Sequence, residues 1–347
     1  MEMLTNFSMV LGFDLWHTII SWFGSWITNY GWAIIVFTIA LKLVMSPLDI
    51  YQRISSRKQQ KFQAVMQPEL QAIQLKYANN KEKLNQETAK IYKKYNFNMG
   101  GMCLSMLLTM GVSMVVFFTL FSSLRSYGTQ KLYDSYAQLD KTYVELYENK
   151  SFDDLTDQEK KDWEIVIKDK YEDLSEENSW LWVKNVWKKD TTESQFVDFD
   201  DYAKHEKIKD TDSIKAKTEA KKRYDFIVET IDGKETQANG YFVLIILAVA
   251  VSFLTQLLSQ KLTMPKGQKL STMNKVMMCI IPLTMVILAY NSNVVFTLYI
   301  IVNSIMTSII TTILTLAMKK KNNGKDEDVI LPKKNVEVVE YSRNYKK

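Results

Sequence analysis

Between Trp32 and Leu48 the chain reads WAIIVFTIALKLVMSPL, seventeen residues with a single charge, Lys42. No lysine or arginine occurs in the 41 residues before that charge. A run this apolar and this long can cross a bilayer core with slight thinning or short flanks. A lysine inside it is costly unless the ammonium snorkels to the interface or faces a wet, protein-lined cavity. The segment alone leaves both readings open. The rest of the chain must therefore supply either a nearby water boundary or a hydrated site.

Four more apolar segments follow, Met102–Leu124, Tyr241–Leu258, Val276–Tyr290 and Val295–Met318. The fourth span is short, but AYNSNVVF at 289–296 joins it to the fifth as a tight helical hairpin. Five spans are expected. The connections alternate in charge: residues 49–101 hold ten Lys/Arg against four Asp/Glu, and 125–240 hold 20 against 28. Residues 261–275 hold four lysines and no acid, and the tail from Lys319 holds nine basic and five acidic residues. Basic connections lie on the cytosolic side, so the N-terminus is expected outside and the C-terminus in the cytosol.

The composition argues against an enzyme. Two cysteines and two histidines do not furnish a disulfide framework, a zinc site or a Ser/His or Cys/His nucleophile. Neither a phosphate-binding P-loop nor a G-x-G-x-x-G turn occurs, and no cofactor is expected. No cleavable signal peptide is expected either, because nothing basic precedes the first apolar region.

In chain order, residues 1–31 contain an amphipathic stretch, 8–28. Met9, Phe13, Trp16, Ile20, Phe23 and Ile27 lie on one face of it and Asp14, Thr18, Ser21 and Ser25 on another. It suits an outer interfacial helix, with a sixth span as the alternative. The first span occupies 32–48, with Pro47 in its last turn. Residues 49–99 hold two polar helices, 52–77 and 81–95, separated by Ala78-Asn79-Asn80. Their seams, Phe62, Met66, Leu70, Ile73, Tyr77 and then Leu84, Thr88, Ile91, Tyr95, describe an antiparallel helical hairpin. The second span, 100–124, leads into a long acidic insertion, 125–240, whose fold the pattern does not define. The third span, 241–260, a basic loop, 261–275, the fourth and fifth spans, 276–291 and 295–318, and a basic tail, 319–347, complete the chain.

Polar residues recur four apart inside the spans: Thr38, Lys42 and Ser46 in the first, and Ser105, Thr109 and Ser113 in the second. The third carries Ser252, Thr255, Gln256, Ser259 and Gln260, and the fifth Asn303, Thr307, Thr311 and Thr315. Residues at i and i+4 share a helix face. A lone stripe would mean hydroxyls bonded to their own helix or gluing helices together. Four stripes, mostly in the cytosolic half and grouped with the one charge, favour a hydrophilic groove open to the cytosol with Lys42 in it. Met102, Met106, Met110 and Met114 form a further stripe, suited to packing, to lipid contact, or to a pliable apolar slide for many partners.

These segments resemble the YidC family of membrane protein insertases, with its mitochondrial and chloroplast relatives, over residues 12–124 and 241–318. ALKLVMSPLD resembles the family's pattern of a basic residue, four others, then Pro-Leu, with Lys42 where arginine is usual. MQPELQ at Met66–Gln71, NMGGMC at Asn98–Cys103 and KVMMCIIPLTMVILAYNSNVVFTLYIIVNS at Lys275–Ser304 are similar to its hairpin entry, its second span and its last two spans. SWLWVKNV, Ser179–Val186, resembles its short outer connector. The chain departs from the pattern at Met99, Ser105 and Gly111, where prolines are frequent, and at Thr109, where Gln is common. The resemblance implies an all-α polytopic membrane protein: five transmembrane helices around a hydrophilic groove open to the cytosol, a mobile cytosolic hairpin and an outer interfacial helix. It implies insertion of nascent membrane proteins into the lipid bilayer without nucleotide hydrolysis, alone or with the Sec translocon, and ribosome contact at the cytosolic face; no DNA partner is expected. The implied groove residues are Lys42, Thr38, Ser46, Ser105, Thr109, Gln256, Gln260, Asn303 and Thr307, with the methionines as the slide. A small-anion transporter or channel using the same groove is the competing reading. A membrane chaperone acting through the insertion is a third.

Overall fold

The computed structural model describes residues 15–95, 99–148, 150–191, 198–205, 214–231, 238–263 and 272–321. Some side chains inside the helices, notably those of 57–64, 99–106 and 108–110, lie outside that description. The described residues are helical and contain no strand. A single β-bridge pairs Trp180 with Val183.

The helices are α1 (15–26), α2 (Tyr30–Lys76), α3 (Lys81–Lys94), α4 (Met99–Tyr147), α5 (Asp157–Asn178), α6 (Phe199–His205), α7 (Ile214–Ile231), α8 (Val243–Thr263), α9 (Thr272–Tyr290) and α10 (Val294–Lys321). The amphipathic stretch that begins at residue 8 is thus described only from 15.

Two boundaries differ from the sequence expectation. The helical stretches separated at Pro47 form one helix, α2, which continues through Pro47 and Pro68. Each proline removes one backbone donor, a loss that apolar helices tolerate when neighbouring groups satisfy the freed carbonyl. Likewise α4 does not end with the apolar run at Leu124 but continues to Tyr147.

Among the described residues three helices are long and apolar enough to cross a membrane: Tyr30–Ser56, Val243–Leu262 and Val294–Met318, with mean hydropathies of 2.0, 2.1 and 2.0. Leucines, isoleucines and valines stand exposed along them and on α9, among them Val44, Ile246, Leu254, Leu283, Ile287, Ile313 and Leu316. A water-soluble surface does not carry so many; this is a membrane protein.

The chain divides into two compact units, residues 1–43, 115–254 and 276–306 in the first, and 44–114, 255–275 and 307–347 in the second. The first holds two hydrophobic clusters. One gathers Ile20, Ile34, Phe37, Leu120, Leu124, Leu244, Ala248, Val294–Phe296 and Leu298 with Val183, Val186 and Trp187. On α1, Trp16 and Phe23 edge against Phe37, and the Trp16 indole donates to Thr119 Oγ1 at 3.0 Å. The other cluster gives the acidic insertion its own core, from Tyr136, Leu139 and Tyr143 on α4, Trp163 and Ile167 on α5, Phe199 and Tyr202 on α6, and Tyr224, Ile227 and Ile231 on α7. The start of α5 is set by a capping box in which Thr156 and Glu159 each accept from the other's backbone N–H. Lys150 beside Glu159, together with those Thr156 hydrogen bonds, holds the Glu159 carboxyl down at about 2.

Between the two clusters runs a connector, Asn178–Thr191, partly buried, which closes the starts of three helices. At α2, Asn29 Oδ1 accepts from Gly31 and Trp32 N–H, while its Nδ2 donates to Ser179 O at 2.6 Å. At α10, Asn293 Oδ1 accepts from Phe296 N–H, and the Val294 and Val295 N–H groups donate to the carbonyls of Lys188 and Val186. At α8 the cap comes from far along the chain: Asp190 accepts from Phe242, Leu244 and Ile245 N–H at 3.1, 2.9 and 3.4 Å. Those bonds hold Tyr241 and Phe242 in left-handed backbone conformations, φ 60° and 63°. A Cβ on Gly31 would overlap Trp180, and one on Gly240 would overlap Asp190, so close approach fixes both glycines.

Asp190→Ala strips the α8 cap and is expected to cost about 2 kcal/mol, with Asn recovering part through its remaining oxygen. Thermal unfolding in detergent reads the loss. An unchanged midpoint for the alanine variant would mean that water replaces the carboxylate.

In the second unit, Asn80 caps α3 by accepting from Lys83 N–H at 3.0 Å. Glu69 on α2 accepts from Lys94 Nζ at 3.0 Å and from the Tyr95 hydroxyl at 2.8 Å. Met66 and Ile91 are buried. Burial and Glu69 together push the Tyr95 hydroxyl up to about 12.

Candidate functional site

Four turns of α2 carry the residues of interest. Thr38, Lys42, Ser46, Asp49 and Arg53 follow one another at spacings of 4, 4, 3 and 4, which keeps them on one face. Thr38 is buried, and its hydroxyl donates to its own helix at Ile34 O, 2.7 Å. Lys42 is half-buried within the first unit.

On α8, Ser252 is buried, and its hydroxyl lies 3.3 Å from that of Ser304 on α10, next to half-buried Asn303. In the second unit, Ser46, Gln256, Gln260 and Thr307 are half-buried. Gln260 Oε1 is enclosed and accepts no hydrogen bond from any described residue. Thr311 and Thr315 donate to the carbonyls one turn back, Thr307 and Thr311, so those two hydroxyls are spent on their own helix.

Ser105 and Thr109, with Met102, Met106 and Met110, lie on α4, and their side chains fall outside the described set. Met114, the last of the methionine stripe, is exposed.

Arg53 is a residue that the sequence reading passed over. Its Nη1 donates to Ser259 Oγ at 3.2 Å, tying α2 to α8 within the second unit. The signal was present: Arg53 lies eleven residues, three turns, beyond Lys42 on the same face. Among the described residues no cluster of three or more His, Cys, Asp or Glu side chains is grouped to hold a metal ion.

A family model described as "60Kd inner membrane protein" matches residues 22–322. The chain belongs to that family. The match runs from α1 through α10, taking in the connector and the insertion. Curated relatives of this 60Kd family chain include a protein named "Membrane protein insertase YidC" from Clostridium tetani, 38% identical over 117 residues, which are 33% of this chain and 50% of the relative. One of the same name from Fusobacterium nucleatum is 38% identical over 101 residues, 29% of this chain and 45% of the relative. Another, from Chlorobium limicola, is 36% identical over 107 residues, 31% of this chain and 18% of the relative. The matched stretch thus spans half or less of each of these relatives' length.

Proposed function

We propose that this member of the 60Kd inner membrane protein family inserts membrane proteins into the bilayer through a hydrophilic groove, without nucleotide hydrolysis. The observation that carries the reading is Lys42, the one charge in the apolar run Trp32–Leu48 of α2, in a chain of this family that has relatives named as insertases.

In this reading α2, α4, α8, α9 and α10 supply five spans, the N-terminus lies outside and the C-terminus in the cytosol. Thr38, Lys42, Ser46, Ser105, Thr109, Gln256, Gln260, Asn303 and Thr307 line a groove open to the cytosol. A charge at the bilayer centre costs about 2.5–3.5 kcal/mol or more, so a groove reaching part-way shortens the apolar distance for a polar tail. Lys42 attracts acidic residues of that tail and stands in for part of their water. The substrate's apolar segment then moves into lipid along Met102, Met106, Met110 and Met114, each buried CH₂ contributing about 0.8 kcal/mol. The hairpin of α2 and α3 receives the nascent chain, the Sec translocon acts beside it for some substrates, and the ribosome docks at the basic cytosolic face.

The test is insertion of a single-span substrate with an acidic tail into liposomes. Lys42→Ala is expected to lower the rate on the order of tenfold, equivalent to ~1.4 kcal/mol, with Lys42→Arg close to wild type and a neutral-tailed substrate unaffected. Equal rates for alanine and wild type would mean that Lys42 merely snorkels. No insertion above protein-free liposomes would favour the small-anion transporter.

A further inference from the structure

From Tyr95 to Leu124 thirty residues carry no charge, and Arg125, on α4, ends the run. From Met99 to Leu124 a helix rises about 39 Å, against a hydrocarbon core of about 30 Å, so a crossing α4 brings Arg125 to the headgroup layer. That placement rests on the five-span reading above.

Arg125 stands in a cleft of about 380 Å³ whose described lining residues are Ser122, Arg125, Ser126, Thr129, Gln130 and Tyr133. The spacing puts these residues on one helix face. The opposite face, Ser123, Leu124 and Tyr127, is buried in the first unit's core, and Asn293 Nδ2 donates to Leu124 O at 3.0 Å. The register is therefore fixed and the cleft faces outward.

One to two turns earlier, on the same side, Val115 and Phe118 are exposed. Apolar surface that suits acyl chains thus gives way within two turns to a cation and hydroxyls. The Arg125 guanidinium and the Ser122 and Ser126 hydroxyls make no hydrogen bond or ion pair to any described residue. They offer a planar fork and two rotatable donors to one anion. At the other end of the cleft Tyr133 feels the charges of Asp198 and Asp201. That repulsion favours an anion at the Ser122–Arg125 end.

We propose that this cleft binds the phosphate of an anionic glycerophospholipid, with the acyl chains along Val115 and Phe118. Arg125 holds the phosphate oxygens, Ser122 and Ser126 donate to them, and Gln130 reaches the polar part of the headgroup.

The full chain is purified, delipidated and returned to nanodiscs of phosphatidylcholine containing a minor fraction of spin-labelled phosphatidylglycerol or spin-labelled phosphatidylcholine. The immobilised lipid fraction is then measured. Wild type is expected to prefer phosphatidylglycerol, Arg125→Gln to weaken that preference roughly fivefold, Ser122→Ala/Ser126→Ala to weaken it less, and Arg125→Lys to keep part of it. Soluble inorganic phosphate is expected not to compete.

Equal immobilisation of the two lipids by wild type would overturn the proposal, as would an undiminished preference in Arg125→Gln. Full competition by inorganic phosphate would assign the cleft to free phosphate instead. Thermal unfolding of each variant confirms that it is folded. Insertion of the acidic-tailed substrate, measured on the same preparations, separates the two readings: lost insertion with intact lipid preference sinks the insertase reading alone.

Discussion

Replacing Trp163 with alanine is expected to destabilise the insertion by about 3–5 kcal/mol, the usual cost of emptying an aromatic site in a core. The indole is completely buried. It stacks on Phe226 with centroids 4.7 Å apart and planes 13° from parallel, and it tilts against Tyr143 at 4.7 Å. Phe152 edges it at 5.9 Å. One side chain thus joins α4, α5, α7 and the short 3₁₀ turn Phe152–Asp154.

Phenylalanine should do far better. The Trp163 Nε1 is buried without an acceptor among the described residues, so losing it removes an unsatisfied donor as well as some packing. Limited proteolysis within 128–238, with near-ultraviolet circular dichroism, reads the outcome. Equal resistance in wild type and alanine variant would mean that this aromatic cluster does not hold the insertion together.

A second large effect is expected from pH and from Lys188→Met. Burial and the neighbouring Lys184 hold the Lys188 amine down at about 7 in the folded chain, against an ordinary 10.5. Between those values the unfolded chain binds a proton that the folded chain does not. Stability therefore rises with pH from about 7 towards 10.5, and below about 7 the whole penalty is present. The penalty is on the order of a few kcal/mol.

Lys188 lines a small cavity with Tyr136, Tyr171, Asn178 and Asn185. Burial raises both tyrosines, moving their ionisation in the fold further above neutral pH. Methionine keeps the length and drops the charge, and should raise the unfolding midpoint at pH 7 and flatten its climb up to pH 10. A wild-type midpoint that does not change over that range, with methionine neutral or harmful, would show that the amine stays protonated in the fold.

What the sequence revealed and what it hid divide along physical lines. The hairpin was legible because its signals are local: Asn80 breaks and caps, and Leu84, Ile91 and Tyr95 mark a face. The apolar runs that became α8, α9 and α10 were legible for the same reason. The continuity of α2 through Pro47 was not, since a proline's local preference to end a helix yields to what surrounds it.

The insertion was unreadable because its core is assembled from sparse aromatics, Tyr136, Trp163, Phe199 and Tyr224, set among charges with little periodicity. Part of the connector, SWLWVKNV, was marked by resemblance, but its capping role was hidden: Asp190 caps a helix more than fifty residues away, and no short-range pattern marks such a residue. On the polar stripes the structure adds a distinction that spacing cannot make. Thr38, Thr311 and Thr315 turn their hydroxyls to their own helices, while Arg53, eleven residues past Lys42, reaches across to α8.

The connector also sets an order of events during synthesis. The carbonyls of Val186 and Lys188 receive N–H groups from Val295 and Val294, more than a hundred residues later in the chain. At roughly 5–20 residues per second, the ribosome needs about 5–20 seconds to cover that distance. During that interval the start of α2 can be closed by Asn29, and that of α8 by Asp190 once Ile245 has been made, while the place of α10 stays open. A nascent chain halted before Val294 would carry an unsealed joint at its centre. The arrival of α10 is what turns a set of tethered helices into a finished protein.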